Sequence, residues 1–290
     1  MRVGLFAGSV PAPALSIGRM LADAGVELYV HAVSSGAVAG LLDAGARWCA
    51  TPAALAVSCD VVVTALSAPA DDSALVDGPD GLAAVSNPRP ESGLMLVDMG
   101  TLGPREVQAL AVRLDAARID LLDAAVVGAG ALRVGGTVAA VERARPLLSL
   151  FGSDVRHVGA AGSGRVLGCC HRIVEALTIE AVAEALTLAR RLGADPAHVR
   201  AALAGGFAGS HVLEVHGARM LSREFAPGQE ARACADALGV VVEEAHALGL
   251  GLPGAALVAQ QMNAMVGAGE GHLDASALIR VLERMAGEAR

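Results

Sequence analysis

The string Gly162-Ser163-Gly164-Arg165-Val166-Leu167-Gly168-Cys169-Cys170-His171 is where the sequence changes character. Before it, short Val- and Leu-rich runs alternate with segments of helical spacing. Strands are predicted at 2–6, 27–31, 60–66 and 94–98, and further ones at 120–127, 136–141 and 155–158. Helical spacing marks 37–44 and 105–117, and Thr51 is placed to cap a short helix. Such alternation predicts a parallel sheet with helices on both faces. After Gly164 a proline-free helical stretch runs over 165–192 and stops at Gly193. More helices follow around 230–248, 253–266 and 275–286, punctuated by Pro196, Gly205-Gly206 and Pro227-Gly228. The predicted fold class is an α/β domain over 1–160 followed by an all-α domain over 161–290.

Composition narrows the chemistry. The chain has 290 residues, 54% of them hydrophobic. No apolar run approaches the roughly 20 residues that cross a bilayer. The N-terminal string reads as a strand and not as a signal peptide. A cytoplasmic, soluble protein is expected. The net charge of -8 argues against nucleic acid as a partner. All 22 basic residues of the Lys+Arg count are Arg, so lysine chemistry of any kind is excluded. The odd count of five cysteines lacks framework or zinc spacing. Reduced thiols and no metal site are expected.

Several strings in order resemble the β-hydroxyacid dehydrogenase family (3-hydroxyisobutyrate dehydrogenase-like), to which the imine reductases are related. Asp98-Met99-Gly100-Thr101-Leu102-Gly103-Pro104 resembles the family's D-x-S-T-x-x-P. Gly162-Ser163-Gly164 is similar to the glycine turn that opens its long interdomain helix. Met220-Leu221-Ser222-Arg223-Glu224-Phe225-Ala226-Pro227-Gly228 matches M-L-x-R-D-F-x-P-G, and Gly271-His272-Leu273-Asp274 resembles the entry to its last helix. The resemblance implies a Rossmann domain, a 6-phosphogluconate dehydrogenase-like helical domain, a helical homodimer, and an interdomain site for a small-molecule substrate.

At the positions that carry the family's chemistry, this sequence departs from the pattern. After the first strand, Gly8 and Ser9 remain but no G-x-G-x-x-G does, and Pro11 and Pro13 withdraw amide donors from 7–14. Ala32 and Val33 stand where an acid or Asn-Arg reads the adenosine ribose, leaving Ser34 as a weak candidate. The cofactor residues Gly8, Ser9 and Ser34 are thus read as vestigial. In the substrate strings, Gly100 replaces a serine beside Thr101, and Val127 replaces another beside Gly128, with Ala129 in place of a glycine. Each polar group left unpaired by such losses costs about 1–3 kcal/mol. The family's catalytic Lys and Asn, one helical turn apart, correspond to Gly168 and His171. Asp236 stands at a lysine position near the cofactor, and Gln229 at that of an aromatic residue.

His171 is the leading catalytic candidate, because histidine exchanges protons near neutral pH. Glu175, one turn on, is placed to orient it. His211 and Asp236 are the other candidates, all three expected to line one cleft. Arg165 is a candidate for a substrate anion, with a solvated helix face as the alternative. Cys169 and Cys170 are read as packing residues, and Asp98 and Asp123 as groups that fix turns. The main expectation is non-redox acid–base chemistry (an isomerase, cyclase or lyase) with no cofactor favoured. The alternatives are an NAD(P)-dependent oxidoreductase with a rebuilt site, resembling a hydroxyacid dehydrogenase or imine reductase, and a non-catalytic binding protein.

Overall fold

The computed structural model describes residues 1–8, 11–66, 69–85, 93–128 and 130–287. They form two compact units, Met1–Gly168 and Cys169–Arg290. In the first unit, β1 (Arg2–Phe6), β2 (Glu27–His31), β3 (Arg47–Trp48), β4 (Val61–Thr64), β5 (Leu94–Asp98), β6 (Ile119–Val126), β7 (Ala131–Gly135) and β8 (Asp154–Gly159) make one sheet. Its order is β3-β2-β1-β4-β5-β6-β7-β8. All neighbours run parallel except β6 and β7, which pair antiparallel. Strands β1, β4 and β5 are buried on both faces, as expected of a sheet covered by crossover helices. The strand order reverses between β1 and β4, which is the switch point where open α/β sheets bind ligands.

The helices of this unit are α1 (Pro11–Asp23), α2 (Ala39–Asp43), α3 (Pro52–Ser58), α4 (Pro69–Val76), α5 (Pro104–Ala116) and α6 (Val138–Leu148). Thr51 caps α3 by accepting from Ala54 N at 3.1 Å. Two readings need correction. The predicted strand at 136–141 is instead a turn followed by the start of α6. Thr137 Oγ1 accepts from Ala140 N at 3.2 Å, so the cap decides a run whose Val content suits strand or helix equally. Secondly, Pro11 opens a helix and Pro13 lies in its first turn. Amides there have no intrahelical partner in any case, so the prolines are tolerated where they stand.

Helix α7 (Ser163–Arg191) begins in the first unit and continues into the second. The second unit adds α8 (Pro196–Ala204), α9 (His211–Ser222), α10 (Ala231–Ala247), α11 (Pro253–Gly267) and α12 (Ile279–Met285). Ile179, Ala183 and Leu186 of α7 pack with Leu238 of α10 and Met262 and Met265 of α11 in its core. Small Ala positions let these helices approach closely, which compensates for an aromatic content of 2%. Asp274 is the polar lock of this unit. Its buried carboxylate accepts from Ser276, His216 Nδ1, Arg219 Nη1 and the amides of Gly228 and Gln229. Burial pushes its pKa up, but the bonds from His216, Ser276 and Gln229 outweigh that and hold the carboxyl well below the usual range. The strings around Met220–Gly228 and Gly271–Asp274 therefore meet in space, and their shared task is structural. Among the described residues, no helix is long and apolar enough to cross a membrane.

Candidate active site

The carboxyl ends of β1, β4, β5 and β6 lie side by side because those strands are parallel neighbours. This edge gathers Gly8, Gly100, Thr101, Val127 and Gly128. Ser34 follows β2 on the same edge and is exposed. Ser9 and Ala129 lie outside the described residues. Gly8 has a left-handed φ of 55°, which favours glycine, and a Cβ built on it would stand 3.0 Å from Asp71 Oδ2. Ten residues later, a Cβ on Gly18 would meet Leu41 at 2.6 Å and Leu5 of β1 at 2.8 Å. Close packing of the first helix on the first strand, one of the tasks of the Rossmann glycines, is thus performed by Gly18. Sequence spacing hid this because Gly18 falls outside the motif window.

Gly100 has its own steric reason. A Cβ there would lie 1.8 Å from Leu66 O. The turn after β5 is pressed onto the chain leaving β4, with Thr101 N donating to Leu66 O at 2.7 Å. Asp98 stitches the same two segments, its Oδ1 accepting from Leu66 N at 3.1 Å and Gly100 N at 3.0 Å. Gly100→Ser, which restores the family residue in name, is therefore expected to lower stability by about 1–3 kcal/mol, as overpacking does. Thermal denaturation checks this, and a variant as stable as the parent would contradict it.

Arg165 is not on a solvated helix face. It is buried, and Nη2 donates to Asp98 Oδ2 at 2.6 Å and to Asp98 O at 3.1 Å. Nη1 reaches Ala124 O at 3.4 Å, and Nε has no hydrogen-bond partner. Asp123 is buried beside it and accepts from Gly162 N at 2.7 Å and Arg165 N at 2.8 Å. Burial pushes the Asp123 carboxyl up despite these bonds. The two aspartates fix the turns that carry the glycine string, and Arg165 clamps the first turn of α7 to β5.

Along α7, residues 168, 171, 172 and 175 share one face. A Cβ on Gly168 would make only an ordinary contact of 3.4 Å with Ala125, so the missing side chain leaves room. His171 is half-buried, with Nε2 3.8 Å from Glu175 Oε2. Arg172 Nη1 donates to Glu175 Oε2 at 2.7 Å. Gln229 completes the group: its carboxamide oxygen accepts from Arg172 and its nitrogen donates to Glu175 Oε1 at 3.2 Å, the orientation that satisfies both ends. Gln229 is itself fixed through its amide by Asp274. In the sequence, Gln229 is marked only as standing at the place of an aromatic residue.

His211 and Asp236 are not joined to this group by any hydrogen bond or ion pair. His211 is exposed at the start of α9 with Glu214 Oε2 at 3.6 Å, and Asp236 is exposed on α10. Cys170 is exposed and Cys169 half-buried, so neither fills the core as expected.

Residues 15–159 match the sequence model described as the NAD binding domain of 6-phosphogluconate dehydrogenase. Residues 162–282 match the one described as NAD-binding of NADP-dependent 3-hydroxyisobutyrate dehydrogenase. The first match begins after Gly8. The chain is 37% identical to 2-hydroxy-3-oxopropionate reductase of Escherichia coli, over 92% of each chain. It is 34% identical to a probable 3-hydroxyisobutyrate dehydrogenase-like protein of Arabidopsis thaliana, over 84% of this chain and 75% of that one. Among solved structures, 3-hydroxyisobutyrate dehydrogenase of Mycobacterium tuberculosis with L-serine superposes with a TM-score of 0.84 at 24% identity, covering 97% and 99% of the two chains. These relatives are dehydrogenases and reductases, and both matched models are nucleotide-binding ones. They overturn the expectations of non-redox chemistry and of no favoured cofactor. The error was to weigh a broken glycine spacing and a few lost side chains too heavily. A Rossmann unit also meets its ligand through backbone, helix terminus and fold position, and the order β1, Gly8, α1 at the switch point is kept here. With the order of strings, the two matched segments and the superposition in agreement, the chain belongs to the 3-hydroxyisobutyrate dehydrogenase-like group of the β-hydroxyacid dehydrogenase family.

Proposed function

We propose that the protein is an NAD(P)-dependent oxidoreductase that interconverts a small hydroxy acid and its carbonyl partner. The observation that carries this reading is the β1–Gly8–α1 unit at the β1/β4 switch point, seated through Gly18, in a chain whose relatives reduce or oxidise such acids. These residues fit a dinucleotide: Gly8 lets the backbone approach a pyrophosphate, the start of α1 favours negative charge, and Ser34 offers a free hydroxyl. A bound nicotinamide supplies or accepts the hydride. The chain's own part is the proton. With Nε2 turned to Glu175, His171 Nδ1 is the ring nitrogen left to give a proton to a carbonyl oxygen or take one from an alcohol. Glu175, held by Arg172 and Gln229, orients the ring. No lysine exists to share that task. Mixing the purified protein with NADPH or NADH and 2-hydroxy-3-oxopropionate, and following loss of the reduced nicotinamide, tests the reading. Absence of both turnover and dinucleotide binding would refute it.

A homodimer belongs to the same proposal. Val174, Leu188 and Leu192 stand exposed on and just beyond α7, at 67%, 60% and 77%. With Ala181 and Ala185 they make an apolar stripe of heptad-like spacing, which a second copy would cover. Light scattering at micromolar concentration is expected to give twice the chain mass, and Leu188→Glu to halve it. A native monomer would count against the dimer.

A further inference from the structure

The glycine that follows β1 has a charged neighbour that the proposed activity does not use. Strands β1 and β4 are parallel neighbours, with Phe6 opposite Thr64, and Thr64 Oγ1 donates to Phe6 O at 3.2 Å. The segments that leave them therefore run side by side. Helix α4 follows β4, and its first turn carries Asp71 and Asp72. A Cβ built on Gly8 would stand 3.0 Å from Asp71 Oδ2, 3.2 Å from its Cγ and 3.5 Å from its Oδ1. The whole carboxylate thus lies across the face that the glycine leaves open.

In a Rossmann turn such a glycine lets the backbone approach a pyrophosphate. Here the approach is held by the chain's own anion. The placement is favourable in the free protein, because a carboxylate in the first turn of a helix meets the positive end of the helix dipole. It turns unfavourable when a second anion arrives at the same glycine, since like charges brought together repel. The guanidinium of Arg113 on α5 is committed to Asp72 and Asp77, two further acids of this segment, and is not available to offset that repulsion.

We propose that Asp71 gates the phosphate seat: it occupies the seat in the free chain and turns away when a dinucleotide enters. Only the fraction of molecules with Asp71 turned away is competent, and the apparent affinity is reduced by that fraction. The inference rests on the proposed dinucleotide-dependent function and adds to it a residue of this chain that sets how tightly the cofactor is held. Titration calorimetry of the full chain with NADPH and with NADH reads it without turnover, with circular dichroism as the folding control. Asp71→Asn removes the charge at nearly constant size and is expected to tighten both dinucleotides by about tenfold or more, as expected if the open arrangement is about one-tenth populated in the native chain. Asp71→Glu keeps the charge and is expected to gain nothing. Unchanged or weaker binding in Asp71→Asn, or equal tightening in Asp71→Glu, overturns the inference and leaves the proposed function standing. Binding by Asp71→Asn alone is the limiting case of a closed gate and supports it. Binding of neither dinucleotide by the native chain or by Asp71→Asn overturns both.

Discussion

Replacing His171 with alanine is expected to lower turnover by about 10²–10⁴-fold, the usual contribution of a positioned acid–base group. Dinucleotide affinity is expected to stay within about threefold of the parent, because the groups assigned to the nucleotide lie on the first unit. Elimination and geometry both point to His171. The chain has no lysine, and its single tyrosine, Tyr29, lies on β2 beside Glu27 and Arg47. Gly168 has no side chain to offer. His171 shares its face of α7, and the carboxylate one turn on approaches to 3.8 Å. Glu175→Gln is expected to reduce kcat less and to change its pH profile, which a merely structural role for Glu175 would leave alone. Steady-state kinetics on both variants, with circular dichroism as a folding control, settle the point. Near-parental kcat in His171→Ala would remove this residue from the mechanism.

The second large effect concerns stability. Arg165→Met is expected to destabilise the first unit by about 3–5 kcal/mol, because it leaves a buried carboxylate without its partner. Asp98 has no exposed side-chain surface and Arg165 has 9%. The loss exceeds that of a surface pair, worth about 0–1 kcal/mol, because water does not replace the missing guanidinium. The double variant Asp98→Asn/Arg165→Met is expected to recover part of the loss, since the uncompensated charge is then absent. Trp48 is the single tryptophan and belongs to this unit, so its fluorescence in urea reports the relevant transition. A loss below about 1 kcal/mol would mean that the pair contributes no more than an exposed one.

What could be read in the sequence follows from the range of the forces involved. Strand–helix alternation, the Thr51 cap and the change of pattern at Gly162-Ser163-Gly164 are local signals, set by side-chain periodicity and nearest backbone bonds. The strands β1, β2 and β5 were legible to the residue, and so was the succession of a Rossmann unit and a helical one. The run at 136–141 shows the limit of such signals, since Val-rich residues suit either state and a single threonine cap decided for helix. His171 with Glu175 was also legible, because four residues on a helix make neighbours by geometry alone.

The rest came from contacts between residues distant in sequence. Arg165 and Asp98 are 67 positions apart, and only the folded sheet turns an arginine read as a candidate for a substrate anion into a buried clamp. Gly100 reads as a lost serine in the sequence, but Leu66, on the chain leaving β4, occupies the space. Gly18 was an unremarked helix residue until its missing Cβ proved to be where α1 rests on Leu5 and Leu41. Gln229 became part of the His171 group through Asp274, which binds its amide across 45 positions. The sequence by itself determined the succession of an α/β unit and a helical one, several of the strands, and the family, because those depend on short-range patterns. Tertiary structure decided which replaced residues had become supports and which still face a ligand, because that depends on where the sheet and helices press distant segments together.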